Sequence, residues 1–231
     1  NKNMENKKIA LFIDAENISS DYAKFIFDKV SSYGEIIIKR IYADWTNEQP
    51  KNWKDNIGEY SITAIQCFTF ASKKNSSDMY LTTDIAEILY EKNIDIFVIV
   101  SSDSDYTSWV QKIREKGKQA LGFGELKTIK SYVNSFNEFF YLNVKEKDER
   151  LNKELVDDLN VIVDNLIEEK GIAEYTQISI GIRRKYADFI PSNYGCKRFK
   201  ELIDKYLSIT TNKYKKNIKD DNKSYYLSEE K

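Results

Sequence analysis

The chain contains no histidine. That absence removes Ser-His-Asp and Cys-His nucleophilic catalysis and all histidine acid–base chemistry. It also removes zinc sites of the usual His/Cys kind. If the protein is an enzyme, it works with carboxylates, lysines or a cofactor. Cysteine is scarce: Cys67 and Cys196 stand alone, without metal-type spacing. Their plain reading is a reduced thiol pair in an intracellular, cytoplasmic protein. No segment approaches the ~20 apolar residues of a membrane helix and no signal peptide opens the chain, so no membrane association is expected. The first residue is Asn1, with Met4 following, and residues 1–3 read as a trimmed start or an added remnant. An excess of positive charge is missing too. The net charge is -1, with 19 Lys+Arg against 20 Asp+Glu up to Lys145 and 17 against 17 after it. Any nucleic-acid binding must therefore come from local patches, because the basic footprint of the whole protein is absent.

What is present is a globular composition, 41% hydrophobic and 32% charged. Lys8–Ile13 (KIALFI) is a short apolar run ending abruptly in Asp14, as a strand buried on both faces would. A helix is predicted over Tyr22–Ser32 from the spacing of Phe25, Ile26 and Val30, with Gly34 as its C′ residue. Glu35–Asp44 is a second strand rich in β-branched residues, Pro50–Gly58 a short helix, and Ser61–Phe70 a third strand. Ser77–Glu91 carries an apolar stripe of Leu81, Ile85, Ile88 and Leu89. Asp95–Val100 is another buried strand, Asp105–Lys116 a helix closed by Gly117, Gln119–Gly122 a fifth strand and Phe139–Leu142 a sixth. Strands alternating with helices predict an α/β domain around a parallel sheet.

Residues 143–152 (NVKEKDERLN) form a charged linker. Beyond it Leu155, Leu159, Ile162, Val163, Leu166 and Ile167 mark a long amphipathic helix ending at Gly171. Thr176–Tyr186 and Lys197–Tyr206 read as two more helices, and Ser208–Lys213 with Ser224–Ser228 as a terminal hairpin. Helix, helix, helix, hairpin is the order of a small winged-helix-like module. The expected domains are residues 1–145 and 146–231.

The chemistry-bearing feature is a set of acids. Ligands of an open parallel sheet bind at the carboxyl ends of its strands. Asp14 ends the first strand, Asp103 and Asp105 follow the DIFVIV strand, and Asp78 lies in the first turn of the helix after the third. Converging carboxylates repel one another unless cations neutralise them. Oxygen-only ligand sets suit Mg²⁺ or Mn²⁺, ions that activate water and stabilise charge on a phosphodiester in flight. Asp84, six residues after Asp78 and so ~9 Å further along a helix, ranks below it as a supporting or structural acid. Each acid also has a plain structural role open to it. Asp14 can cap its own turn with Asn17, Asp103 or Asp105 can cap the following helix, and Asp78 can favour its helix dipole.

Three stretches, IALFIDAENIS, KKNSSDMYLTTD and FVIVSSDSDY, resemble the three motifs of the NYN domain, the LabA-like branch of the PIN-like nucleases. The matching positions are Asp14 and Asn17; then Lys73 or Lys74 with Asp78 and Asp84; then Ser101, Asp103 and Asp105. The resemblance covers roughly residues 7–142. It departs in the stretch KKNSSD, which is a residue or two longer than the family pattern and lacks its glycine. The resemblance implies a Rossmann-like, PIN-like sheet and metal-dependent RNA cleavage. Asp14, Asp78, Asp103 and Asp105 would be the ion ligands, with Asp84 a further one. Asn17 and Ser101 would orient ligands, and Lys73 or Lys74 would touch the scissile phosphate. The second half, through its long first helix, ISIGIRRKYADFIPSNYGCKRFKELI and the hairpin, resembles an OST-HTH (LOTUS) domain, which implies a module binding RNA or a protein partner. Arg183, Arg184, Lys185, Lys197 and Arg198 are its candidate RNA contacts, with Lys200 beside them and Tyr186 and Tyr194 as stacking surfaces. A solvated helix face is the competing reading of the same residues. Lys213, Lys215, Lys216 and Lys219 read as a mobile hairpin tip. Phe12, Phe97, Phe123 and Tyr90 are expected in the core, and Trp45 and Trp53 in a packed lid or against a nucleotide.

The leading expectation is an endoribonuclease using Mg²⁺ or Mn²⁺. A non-catalytic RNA-binding or scaffold protein with a vestigial acid cluster is the alternative. Toprim-type and HAD-type phosphate chemistry fit less well. The first wants a glutamate where Asp14 stands, and the second wants Asp-x-Asp where the chain has Asp14-Ala15-Glu16. Single-stranded DNA stays open as a substrate and a homodimer as an assembly.

Overall fold

The computed structural model describes residues 7–68, 76–143, 151–210, 213–219 and 223–229. The chain divides into two compact units, Asn1–Asn143 and Val144–Lys231.

The first unit is a six-stranded parallel sheet. Its strands are β1 (Lys8–Asp14), β2 (Glu35–Ala43), β3 (Thr63–Gln66), β4 (Ile96–Val100), β5 (Gln119–Gly124) and β6 (Glu138–Tyr141). They lie in the order β3-β2-β1-β4-β5-β6. The chain thus winds outward from β1 to one edge, returns to the centre at β4, and winds to the other edge. The point of reversal falls between β1 and β4, where the carboxyl ends of a doubly wound sheet open a crevice. The apolar runs explain why these two strands are central. Ile9–Ile13 and Ile96–Val100 are wholly buried, as strands covered on both faces must be. Ile13 pairs with Val100, so the residues just beyond the two strands emerge side by side.

The covering helices are α1 (Ala23–Ser31), α2 (Lys54–Glu59), α3 (Ser76–Glu91), α4 (Thr107–Glu115) and α5 (Lys130–Val133). Short 3-10 turns at Ser20–Tyr22, Gln49–Trp53 and Ser104–Tyr106 lead into α1, α2 and α4. The expected stripe on α3 is buried through Leu81, Ile85, Ile88 and Leu89. Gly117 adopts a left-handed φ of 71° after α4, as expected of a helix terminator. Gly34 is a correction: its backbone is not left-handed. It is required because a Cβ there would sit 2.2 Å from the Lys7 carbonyl oxygen, where the chain enters β1. Strand β3 is shorter than the Ser61–Phe70 expected, and Thr69 and Phe70 lie outside the described residues. Helix α5 had no periodic signal, being a single turn. Tyr90 is also corrected: it is 59% exposed, with the Lys116 ammonium 4.8 Å from its ring centroid.

The second unit holds α6 (Lys153–Lys170), α7 (Tyr175–Arg183) and α8 (Phe199–Ile209). Its antiparallel sheet has the order β7-β9-β8, with β7 (Ala173–Glu174), β8 (Tyr214–Ile218) and β9 (Tyr225–Glu229). Asn152 caps α6 by accepting the Leu155 N–H at 2.8 Å, and Gly171 ends it with φ 76°. The core joins Leu159 and Val163 to Ile178, Ile182, Leu202, Ile203, Tyr206 and Leu227. The expected hairpin is present, but its first strand begins at Tyr214 rather than Ser208. Apolar Leu207 and Ile209 continue the helical pattern of α8 instead.

Candidate active site

Asp14 is the last residue of β1 and is fully buried. Its Oδ2 accepts two hydrogen bonds, from Asn17 Nδ2 at 2.8 Å and from Ser101 Oγ at 2.9 Å. Ser101, the first residue past β4, is fully buried as well. Its hydroxyl also accepts the Asp103 N–H at 3.1 Å. One serine therefore locks the end of β1 to the turn that carries Asp103. Asp103 in turn accepts the Asp105 N–H at 2.9 Å and caps the 3-10 turn entering α4. The capping role foreseen for Asp103 is thus realised through one of its oxygens.

The other Asp14 oxygen, Oδ1, is buried without a hydrogen-bond partner among the described residues. A buried polar atom left unpaired costs about 1–3 kcal/mol. The Asp14 carboxyl is pushed up to about 6 from the ordinary 3.8. Burial is the chief cause, opposed by the Asn17 and Ser101 hydrogen bonds and reinforced by the charges of Asp78 and Glu16. The Asp78 carboxyl is raised as well. Burial again comes first, the Tyr106 hydrogen bond lowers it, and the charges of Asp103, Asp105 and Glu16 raise it. Asp14, Glu16, Asp78, Asp103 and Asp105 thus feel one another electrostatically, although they come from three separate connections of the sheet.

Two tyrosines and one glutamate complete the site without having been foreseen. Tyr106 is fully buried and donates its hydroxyl hydrogen bond to Asp78 Oδ1. Tyr132, also fully buried, has no partner for its hydroxyl among the described residues. Burial, then the charges of Asp103 and Asp14, hold its phenol well above the ordinary range. Glu16 accepts the Asp44 N–H at 3.2 Å and the Ser77 hydroxyl at 2.8 Å, tying β2 to the start of α3. The sequence signal for Glu16 was its place between Asp14 and Asn17; nothing marked the tyrosines.

Asp84 is not brought into this group. Its carboxylate pairs with the Arg40 guanidinium at 2.6 Å and accepts the Tyr42 hydroxyl at 2.5 Å. Lys73 and Lys74 lie outside the described residues. Trp53 is buried and donates to the Ile18 carbonyl at 3.0 Å; Trp45 is half-buried and donates to the Ile65 carbonyl at 2.8 Å. Both indoles are thus tied to backbone carbonyls of the sheet domain. Cys67 and Cys196 are free and buried. Burial first, then the charge of Glu16 and lesser ones of Asp14 and Asp44, push the Cys67 thiol up to about 12, opposed by a backbone hydrogen bond from Ala43, so it is no nucleophile.

The donor set suits a hard divalent cation. It is all oxygen, mutually repulsive, and includes one buried carboxylate oxygen with no other partner. Among the described residues, no group of three or more acidic or cysteine side chains is already arranged to hold one ion. The carboxylates are held by Asn17, Ser101, Tyr106 and backbone N–H groups instead.

In the second unit half of the expected basic face is engaged by other residues of the chain. Lys185 pairs with Asp158 at 2.5 Å, and Arg183 Nε donates to the Phe189 carbonyl at 3.3 Å. Lys200 donates to the Tyr225 hydroxyl at 2.9 Å. Lys213 pairs with Asp164, Lys216 with Asp204 and Lys219 with Glu174, so these lysines anchor the hairpin and are not its mobile tip. Tyr186 is buried with its hydroxyl on Asp158 at 2.5 Å, and Tyr194 packs 5.6 Å from Phe189. The Tyr186 ring is thus in the core, while Tyr194 stays half-buried. Arg184, Lys197 and Arg198 are exposed, and among the described residues no side-chain hydrogen bond or ion pair holds them.

A doubly wound parallel sheet with clustered acids at its topological switch point is the architecture of a PIN-like domain. The chain belongs to the NYN domain family, matching it over residues 8–143, and the NYN domain is part of the PIN-like nuclease superfamily. It is 28% identical over 157 residues to an uncharacterized protein of Methanocaldococcus jannaschii, a match covering 63% of this chain and 62% of that protein. The chain thus aligns with less than two thirds of that relative's length. Among solved structures it is similar to a protein of unknown function from Vibrio parahaemolyticus, with TM-score 0.52 and 17% identity, over 62% of this chain and 98% of that one. That likeness speaks for the fold. Among the described residues no helix is long and apolar enough to cross a membrane.

Proposed function

We propose that the protein is a metal-dependent endoribonuclease whose working group is Asp14, Asp78, Asp103 and Asp105. The observation that carries this reading is the buried Asp14 carboxylate, with one oxygen fixed by Asn17 and Ser101 and the other left without a partner among the described residues. A carboxylate so placed is costly unless a cation shares it. Asp14 and Asp103, joined through Ser101, would hold Mg²⁺ or Mn²⁺ with Asp78, and Asp105 would add charge from the exposed side of the turn. Such an ion supplies an activated water and charge stabilisation on the phosphorus. The chain's own residues orient these acids. Asn17 and Ser101 fix the Asp14 carboxyl plane, and Tyr106 fixes that of Asp78. The absence of histidine fits a reaction whose proton handling falls to carboxylates and water.

For the second unit, the resemblance to an OST-HTH domain supports a module that brings RNA or a protein partner to the nuclease. Exposed Arg184, Lys197 and Arg198 are its available cations.

The test is cleavage of labelled single-stranded RNA by the full chain with Mn²⁺, with EDTA, and as the Asp14→Asn and Asp103→Asn variants. Cleavage that needs the ion and is lost in both variants is the expected result. Cleavage unaffected by either substitution would place the activity elsewhere. RNA binding without cleavage, unchanged by either substitution, would favour a non-catalytic RNA-binding protein.

A further inference from the structure

Asp78 differs from the other acids of the group in how it is held. Asp14 is fixed by the register of β1 against β2, and Asp103 follows directly from β4 and caps its own turn. Asp78 lies in the first turn of α3, outside the sheet ladder. Its placement at the carboxyl edge must come from side chains. The apolar stripe and Asp84 seat the body of α3, and two further side chains act on its first turn, from two different strand connections. Glu16, two residues past β1, bridges the Asp44 N–H at the end of β2 and the hydroxyl of Ser77, the residue before Asp78. Tyr106, in the turn after β4, hydrogen-bonds Asp78 Oδ1 from a fully buried position. Among the described residues no hydrogen bond holds Asp78 Oδ2.

We infer that Glu16 and Tyr106 are positioning residues that together clamp Asp78, Glu16 setting the first turn of α3 through Ser77 and Tyr106 setting the carboxyl plane. The inference rests on the reading of these acids as a cation-holding hydrolytic site. Tyr106 takes one oxygen of Asp78, and the other keeps its capacity for a ligand. Glu16 sets the helix start from which Asp78 projects. Groups that orient ligands in this way are commonly worth about 10–100-fold in metal affinity or rate. A purely structural role would lower stability without moving either quantity selectively.

The experiment measures Mn²⁺ affinity by electron paramagnetic resonance of the free ion, RNA cleavage kinetics and thermal melting, all on the full chain. The variants are Tyr106→Phe, Glu16→Ala, Glu16→Gln and Ser77→Ala, with Asp14→Asn as reference. Glutamine keeps the bridge, because its oxygen accepts the Asp44 N–H and its amide donates to a reoriented Ser77 hydroxyl. Tyr106→Phe and Glu16→Ala are expected to lose about 10–100-fold in Mn²⁺ affinity and kcat, with KM for RNA unchanged and rates recovering as Mn²⁺ is raised. Glu16→Gln is expected to stay within about threefold of the parent protein, and Ser77→Ala to match Glu16→Ala, standing in for it if that variant does not fold. If Tyr106→Phe and Glu16→Ala keep parental affinity and kcat while Asp14→Asn loses both, the clamp is refuted and the nuclease reading stands. If Glu16→Gln is as damaged as Glu16→Ala, Glu16 acts through its charge and its positioning role is refuted. If Asp14→Asn itself binds Mn²⁺ and cleaves as the parent does, the nuclease reading falls and the clamp with it.

Discussion

Ser101 and Asp14 stand 87 positions apart in the chain and share a 2.9 Å hydrogen bond at the carboxyl ends of the two central strands. The same Ser101 oxygen accepts the Asp103 N–H. Ser101→Ala therefore removes one of the two hydrogen bonds to a buried carboxylate and strands a backbone donor. The expected loss is about 1–3 kcal/mol in unfolding free energy, with RNA cleavage reduced further because Asp14 and Asp103 lose their common anchor. Urea unfolding beside a cleavage assay checks both. Parental stability would contradict the arrangement.

Asp14 links pH to stability. Its carboxyl is raised from 3.8 to about 6, chiefly by burial. The folded state thus holds this proton more tightly than the unfolded chain. The stabilisation is complete below about pH 3.8 and is lost as pH rises through about 6. Asp14→Asn stays neutral throughout. It is expected to exceed the parent in stability at pH 7.5 by on the order of 3 kcal/mol, and the gain should vanish near pH 4. Denaturation curves at the two pH values decide it. A variant less stable at pH 7.5 would show that the hydrogen bonds to the carboxylate outweigh its burial.

Asp84 separates structure from chemistry. Its pairing with Arg40 and Tyr42 ties α3 to β2. Asp84→Asn is expected to cost about 1–3 kcal/mol of stability, as loss of a partly buried charge pair does, with Mn²⁺ affinity unchanged. Calorimetric titration and melting together check this. A large loss of ion affinity without a change in melting would move Asp84 into the ion-holding group.

The sequence shows the ends of β1 and β4 plainly, because each is an apolar run stopped by a polar residue, and these two strands deliver Asp14, Ser101 and Asp103. The strand order was not legible, since parallel pairing leaves no local signal. Glu16 and Tyr106 were hidden for a related reason. Their roles depend on Ser77 and Asp78, residues that only the fold brings near. Which cations of the second unit are paired was not legible either, because the acids that engage them are distant in sequence; Asp158 precedes Lys185 by 27 positions. The burial of Tyr186 was hidden in the same way, since the core it joins is assembled from distant elements.

Charge pairing sets an order among the cations of the second unit. Lys185 is engaged by Asp158, whereas Arg184 and Arg198 are exposed. Arg184→Ala and Arg198→Ala are expected to weaken RNA binding and flatten its salt dependence by about one unit of log–log slope each. Lys185→Ala is expected to do neither. Filter binding across a salt series checks the ranking. Equal effects from all three would indicate that the Lys185–Asp158 pair opens on binding.

The most direct test sets the single-turnover cleavage rate of one RNA at saturating Mn²⁺ for the parent beside that of Asp14→Asn, with melting curves of both. The expected result is cleavage by the parent, none by the variant, and a variant at least as stable, so that unfolding cannot explain the loss. Cleavage by Asp14→Asn at the parental rate would contradict the assignment of the buried carboxylate as the centre of the site.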